Sequence, residues 1–144
     1  MQLLKYKFRH MKIFRTVFMM MLLLLSVSGL PSQSSSNFPE AITNATRKGD
    51  AKTLASYFNS SIELVLPGKS GVFSKSQAEM IVKEFFSQNP PQQFRIIHKG
   101  MRSNASFAIG SYETPSGKYR FYFLTKETNN KALIHQLRIE RQDD

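Results

Sequence analysis

The sequence predicts an α+β domain in which helices cover one face of an antiparallel sheet. Two observations predict it. In the first half of residues 38–142, capping residues mark one helix, and apolar residues recur at helical spacing in two further segments. From residue 92 onward the period changes to two, through four runs separated by short turns. Four strands joined by short turns pair as an antiparallel meander, and helices that precede them can pack on one of its faces.

Residues 1–28 predict a secretory signal peptide. A basic segment in residues 1–15 is followed by an apolar run at 17–25 and by the small residues Ser26 and Ser28. The run is shorter than the roughly 20 apolar residues that span a bilayer, which favours cleavage over an uncleaved anchor. We expect export to the periplasm or beyond the cell. We expect neither a lipoprotein anchor, since the chain has no cysteine, nor a stable membrane span after cleavage.

The net charge falls once this segment is removed. The whole chain carries +10, but the leader holds five of the 20 Lys and Arg residues and none of the 10 acidic ones, which leaves +5. Such a moderately basic chain is compatible with ordinary solubility or with an anionic partner. Residues 29–37 predict a Ser-rich linker, and residues 38–142 predict a single domain. Without disulfides, that domain depends on a packed core.

Two helices begin the domain. The first is expected at about residues 38–48, with Asn37 as N-cap and Gly49 just past its end. Asp50 can cap the second helix at once. The second helix has one apolar stripe at helical spacing, formed by Ala51, Leu54, Ala55 and Phe58.

A strand pair and a third helix follow. Residues 62–66 alternate as a strand that Pro-Gly ends, and residues 71–73 are expected to form a short second strand. Ser76 and Glu79 have the spacing of a capping box at the start of the third helix. That helix should stop at Asn89, because two prolines follow it.

Four strands complete the chain, at about 92–102, 104–113, 117–127 and 132–141. Strict alternation assigns one apolar set to the helix-facing side: Phe94, Ile96, Phe107, Ile109, Phe121, Phe123, Leu137 and Ile139. The opposite side is then mixed basic and apolar: Arg95, Ile97, Lys99, Lys118, Arg120, Tyr122, Leu124, Lys126, Ile134 and Arg138.

The whole of this order resembles the nuclear transport factor 2-like superfamily. The stretches RKGDAKTLASYFNSSIELVLPG, MIVKEFFSQNPPQQFRIIHKG and ALIHQLRIE are similar to a family of small exported Bacteroidetes proteins of unknown function within it. The resemblance implies a cone-like curved antiparallel sheet of about four to six strands wrapped around the three helices. It does not choose a function, because that superfamily includes isomerases, dehydratases, transport adaptors and ligand-binding domains.

His98, His135 and Tyr119 are the candidate ligand-binding residues. By alternation, both histidines share the helix-facing side with Tyr119. Our first hypothesis is an exported, non-enzymatic domain that binds a small apolar ligand or a protein partner in the cell envelope. The alternative is a small isomerase- or lyase-like enzyme in which a cavity histidine acts as general base. Hydrogen-bonded histidines of the core or its rim would also explain the pattern.

The other face of the sheet is the candidate partner surface, through Arg95, Arg120, Tyr122 and Arg138. Apolar residues among these charges favour a partner, for example a homodimer packed sheet on sheet, over a fully solvated face. Basic residues interleaved with aromatics can also bind single-stranded nucleic acid. An exported protein rarely meets nucleic acid, so a binder of anionic polymers ranks third.

Several chemistries have no sequence support. Cysteine nucleophiles are excluded by composition. No serine lies in a G-x-S-x-G elbow, and PGKSG lacks the spacing of a phosphate-binding loop. Two histidines are too few for a zinc site, so we expect no metal and no cofactor.

Overall fold

The computed structural model describes residues 38–143. The predicted signal peptide and the predicted Ser-rich linker, which includes Asn37, therefore lie outside the described residues. The described elements, in chain order, are α1 (Glu40–Lys48), α2 (Ala51–Ala55), β1 (Phe58–Leu66), β2 (Lys69–Ser74), α3 (Lys75–Gln88), β3 (Gln93–Arg102), β4 (Ala105–Thr114), β5 (Gly117–Thr128) and β6 (Lys131–Gln142). None of the helices within residues 38–143 is long and apolar enough to cross a membrane.

The six strands form one curved, unclosed sheet in the order β2-β1-β6-β5-β4-β3. The last four strands pair with their neighbours as the predicted antiparallel meander. The predicted α+β class with three helices is confirmed for the described part of the chain. One pairing differs from an all-antiparallel sheet, because β1 runs parallel to β6. This pairing joins the β1–β2 hairpin to the meander.

The helix starts depend on local side-chain hydrogen bonds. Gly49 ends α1 in the left-handed conformation, with φ of 64°, and Asp50 accepts a hydrogen bond from the Thr53 amide at the start of α2. The capping box of α3 lies two residues earlier than predicted. Ser74 and Gln77 form it, because each side chain accepts a hydrogen bond from the other residue's backbone N–H.

The second helix is shorter than its apolar stripe suggested. It ends at Ala55, and Phe58 begins β1 instead of closing a helical turn. Phe58 is nevertheless buried, since it lies opposite Ile134 of β6 in the parallel pair. An apolar residue at position 58 fits both a helical stripe and the start of a strand, so the sequence pattern does not distinguish the two. Pairing with β6 selects the strand.

The inner face of the sheet, which faces the helices, matches the predicted set except on β4. Phe107 and Ile109 were assigned to it but lie on the opposite face, while Ala108 and Tyr112 are buried. Ile134 was assigned to the outer face and is fully buried. On β4, alternation alone could not decide, because both faces carry apolar residues.

Two glycines allow aromatic rings to lie against the backbone of the sheet. A Cβ on Gly110 would lie 2.3 Å from the ring of Phe94, and one on Gly100 would lie 2.6 Å from the ring of Phe107. Each ring comes from the neighbouring strand, so each covers a glycine across the strand pair. Bulges in β3 and in β6 add to the curvature of the same region.

Aromatic rings fill the space between the sheet and the helices. The rings of Tyr112 and Phe121 stack with centroids 4.8 Å apart, and the ring of Phe85 meets that of Tyr119 edge-on at 5.2 Å. Phe94 packs on Phe121 at 5.8 Å. The hollow that the resemblance implied is thus occupied by side chains of the protein itself at this level of the sheet.

Candidate functional site

The outer face of the sheet consists of the side chains that alternate with the buried ones. Ile109, Tyr122 and Arg138 lie opposite one another on β4, β5 and β6. In the next row, Phe107 lies opposite Leu124. We call the four half-buried residues Phe107, Ile109, Tyr122 and Leu124 the apolar strip. Its members touch across two neighbouring strands, so it is continuous.

Charged residues border the apolar strip. Arg95 lies opposite Ser111, which lies opposite Arg120, which in turn lies opposite Glu140. Arg138 forms a salt bridge of 3.3 Å with Glu140, and both side chains are 44% exposed. The structure therefore gathers the predicted arginines on one face. The fourth residue predicted for this surface is the tyrosine of the apolar strip.

His98 does not lie on the inner face, where alternation had placed it. Ile97 is an extra residue of β3 relative to β4, so the bulge shifts the alternation by one position. His98 consequently lies opposite Ile109 on the outer face and is exposed. Its ring lies 5.6 Å from that of Phe107, at the edge of the apolar strip. A general base inside the cavity is not available at this position.

His135 occupies a second bulge. It is the extra residue of β6 opposite the step from Leu124 to Thr125. Its Nε2 is buried without a hydrogen-bond partner within residues 38–143. Burial lowers the pKa of His135, and the positive charge of Lys126 lowers it further. Three strand spacings, about 14 Å, separate this strand from that of His98, so the two histidines do not form a pair.

Tyr119 lies on the inner face, as predicted, at the end of α3. Its hydroxyl donates to Oδ1 of Asn89 at 2.9 Å, and the Tyr112 hydroxyl donates to the backbone carbonyl of the same asparagine. The side-chain amide of Asn89 in turn donates to the Phe85 carbonyl at 3.1 Å. Burial, with a smaller contribution from Tyr119, raises the pKa of Tyr112 well above its usual range. Tyr112 is therefore a hydrogen-bond donor at neutral pH.

The interior that the structure describes contains no carboxylic acid. The buried polar residues within 38–143 are threonines, and no Asp or Glu is buried there. No group of three or more His, Asp or Glu in this part of the chain could hold a metal ion. What the arrangement offers is contact surface: an apolar strip with charged borders, and a cleft beside Tyr119.

Sequence reasoning missed the two residues that complete these features. Asn89 was interpreted only as a helix stop, although it joins both tyrosine hydroxyls. Ile109 was placed in the core, although it lies at the centre of the outer face. The signal was present in two residues of β4 that lie on its inner face, Gly110 and Tyr112. Gly110 leaves space for the Phe94 ring, and Tyr112 provides a large buried aromatic side chain, so Ile109 between them belongs to the outer face.

Comparison with known proteins identifies the family. Residues 39–140 match the model of a family described as a domain of unknown function (DUF4783). The chain belongs to the DUF4783 family. It is 31% identical to a DUF4783 protein from Bacteroides ovatus, whose crystal structure superposes with a TM-score of 0.72 over 76% of this chain and 99% of that one. A DUF4783 protein from Bacteroides uniformis is also 31% identical, with a TM-score of 0.71 over 75% and 100%.

More distant structures share the fold of this DUF4783 chain. An NTF2-like protein of unknown function from Shewanella baltica is 15% identical, with a TM-score of 0.55 over 73% of this chain and 88% of that one. A de novo designed protein with a curved β-sheet is 11% identical, with a TM-score of 0.60 over 70% and 93%. No curated protein matches the chain. The fold is NTF2-like, as the sequence resemblance implied.

Proposed function

We propose that this protein acts after export as a non-catalytic, partner-binding domain of the cell envelope, and that its outer face binds a second copy of the same chain. The observation that carries the proposal is the apolar strip with its border of opposite charges. Four large apolar side chains, half-buried in the single chain, would leave water completely when another sheet packs on them. Two sheets can pack face to face through the side chains of their facing surfaces.

The register of the sheet supports the pairing of the outer face with a second copy of itself. A twofold axis that runs along the strands between β4 and β5 would bring β4 over the partner's β5, and β3 over the partner's β6. Rotation about this axis does not shift residues along the strands. Each cross-strand row of one chain would therefore face the same row of the partner, with the order of the strands reversed. Ile109 would face the partner's Tyr122, and Phe107 would face the partner's Leu124.

The charges agree with this arrangement. In the row of arginines, Arg95 would face the partner's Glu140, since these residues occupy the two ends of one row. In the row beyond, Glu113 would face the partner's Lys118. Each contact occurs twice under twofold symmetry. Opposite charges at the rim, with apolar contacts at the centre, are the usual composition of a specific interface.

Charge reversal tests the proposed pairing. Glu140→Arg would place two arginines together in each half of the dimer, and we expect the dimer dissociation constant to rise about tenfold or more. The double variant Arg95→Glu, Glu140→Arg should restore association, because both charges of the pair are exchanged. Analytical ultracentrifugation over a range of protein concentrations measures both.

Glu84→Arg is the matched control, since it makes the same charge change on exposed α3, away from the outer face. It should leave the dissociation constant unchanged. A wild-type protein that stays monomeric at every concentration would contradict the proposal. Failure of the double variant to recover association, with Glu140→Arg impaired, would reject the proposed axis.

A further inference from the structure

A cleft opens on the side of the domain away from the apolar strip, between the second half of α3 and the turn that joins β1 to β2. It has a volume of about 340 Å³. Its lining includes Leu66, Lys69, Ile81, Phe85, Gln88 and Tyr119. This volume is near the lower end of the roughly 300–1,000 Å³ of small-molecule sites. The α3 cleft is therefore suited to a small ligand, independently of any partner on the outer face.

The floor of the α3 cleft is fixed in place. Tyr119 donates its hydroxyl proton to Asn89, and the asparagine amide donates to the Phe85 carbonyl. Because the Tyr119 donor is already used, its oxygen is left as an acceptor. Two groups of the floor, the Tyr119 hydroxyl and the Phe85 carbonyl, are thus held by hydrogen bonds to Asn89 at the end of α3. A ligand would meet a preorganised surface, which reduces the entropic cost of binding.

Opposite charges line the α3 cleft without satisfying each other. Lys69 and Glu84 both contribute to its wall, yet within residues 38–143 neither forms a salt bridge. Gln88 donates to Oε1 of Glu84 at 3.4 Å, one helical turn along α3, which steadies that carboxylate. Both charged groups are exposed and available to a ligand.

Three apolar side chains also line the α3 cleft. Leu66 ends β1, and Ile81 and Phe85 lie on one side of α3 four residues apart. A ligand that satisfies the whole lining therefore needs an anionic group, a cationic group and a compact hydrocarbon part. Inorganic phosphate and unsubstituted sugars lack the hydrocarbon part, and fatty acids lack the cation.

We infer that the α3 cleft binds a free, zwitterionic amino acid with an apolar side chain. Lys69 contacts the ligand carboxylate, Glu84 contacts its ammonium group, and Leu66, Ile81 and Phe85 surround the side chain. A charge-assisted contact of each kind is stronger than a neutral hydrogen bond.

Calorimetric titration with three related probes tests the inference. L-Leucine carries both charges, N-acetyl-leucine lacks the cation, and leucinamide lacks the carboxylate. We expect L-leucine to bind at least about tenfold more tightly than either derivative, since each derivative loses one charge-assisted contact. Equal binding of all three, or no heat with L-leucine at millimolar concentration, would overturn the inference.

Two variants locate the site. Lys69→Met should remove the preference for L-leucine over leucinamide, and Glu84→Gln should remove the preference over N-acetyl-leucine. Lys75→Met, an exposed change at the start of α3 outside the cleft lining, should keep both preferences. Because Lys69 and Glu84 are exposed, the Tm of each variant should stay within a few degrees of that of the wild type. Both preferences persisting in the two cleft variants would place the ligand elsewhere and reject the α3 cleft.

Discussion

The two faces of β5 show how one strand can serve stability on one side and recognition on the other. Tyr119, Phe121 and Phe123 are all buried against the helices, whereas Arg120 and Tyr122 between them are only half-buried. Both sets have the same neighbours in the sheet, β4 and β6. The difference between the two sets is therefore due to what covers each face and not to backbone pairing.

This comparison separates two kinds of apolar residue. An inner aromatic residue makes many contacts with other rings and contributes to the free energy of folding. An outer one, such as Tyr122, completes its contacts only if another surface covers it. Substitutions on alternate residues of β5 should therefore act on different measurements, and this expectation can be tested directly.

The largest expected effect comes from the centre of the inner face. Phe121→Ala removes a fully buried ring that stacks on Tyr112 at 4.8 Å. We expect the free energy of unfolding to fall by about 3–5 kcal/mol, which includes the cost of the cavity. Urea denaturation followed by circular dichroism measures it. A domain of this size with ordinary stability would lose a large part of its free energy of unfolding.

Tyr122→Ala, one residue along, is the matched control on the outer face. We expect it to cost about 1 kcal/mol or less, the value of a cross-strand pair. If the outer face binds a second copy, this cost should rise with protein concentration, while that of Phe121→Ala stays the same in monomer and dimer. Equal costs for both variants at low concentration would contradict the division between the faces.

A smaller effect is expected where a glycine of the inner face lies under a ring. Gly110→Ala would place a methyl group 2.3 Å from the Phe94 ring, which must then move. We expect a loss of about 1–3 kcal/mol from overpacking. Ser111→Ala, on the outer face of the same strand, is the control and should change stability little.

A second substitution identifies the cause of the Gly110→Ala effect. Phe94→Leu removes the ring carbons that meet the new methyl group, so the double variant should be less destabilised than the sum of the two single changes. A double variant whose loss of stability equals that sum would show that the Phe94 ring is not the obstacle. If Gly110→Ala left stability unchanged, the close contact between residue 110 and the Phe94 ring would be contradicted.

Much of the fold could be predicted because its signals are local. The turns and alternation of the last four strands gave their bounds within about two residues, and Gly49 and Asp50 marked the junction of the first two helices. The faces of β5 were also assigned correctly, since large apolar residues occupy one side of it. The inner face of β4 was not, because large apolar residues occupy both of its faces.

The two histidines were misplaced for one common reason. Each belongs to a bulge, and a bulge shifts the alternation by one residue without changing composition. A trace of the bulges is visible in the adjacent apolar pairs, Ile96 with Ile97 and Leu133 with Ile134, which interrupt strict alternation. Such a pair does not say which residue is extra, since the extra residue is Ile97, within the pair, in β3 and His135, next to the pair, in β6. The register of the neighbouring strand decides that, and a single sequence does not contain it.

The smallest expected effect concerns His135, which as a bulge residue belongs to neither regular row. Its pKa is lowered in the folded protein by burial and then by Lys126, so the unfolded chain binds a proton that the folded chain does not. At neutral to alkaline pH the imidazole is unprotonated in both states, and His135 does not reduce the stability of the folded protein. As the pH falls through the ordinary imidazole range near 6.5, protonation favours the unfolded chain. We expect the free energy of unfolding to decrease in that interval.

His135→Asn should flatten this part of the pH profile, because asparagine does not titrate. Lys126→Gln should flatten it only in part, since the charge beside the imidazole is the lesser of the two causes. Urea unfolding at pH values from about 5 to 8 measures all three proteins, above the range in which exposed carboxylates titrate. Identical profiles for wild type and His135→Asn would mean that the bulge opens enough to hydrate the imidazole, so that it should be counted with the exposed residues of the outer face.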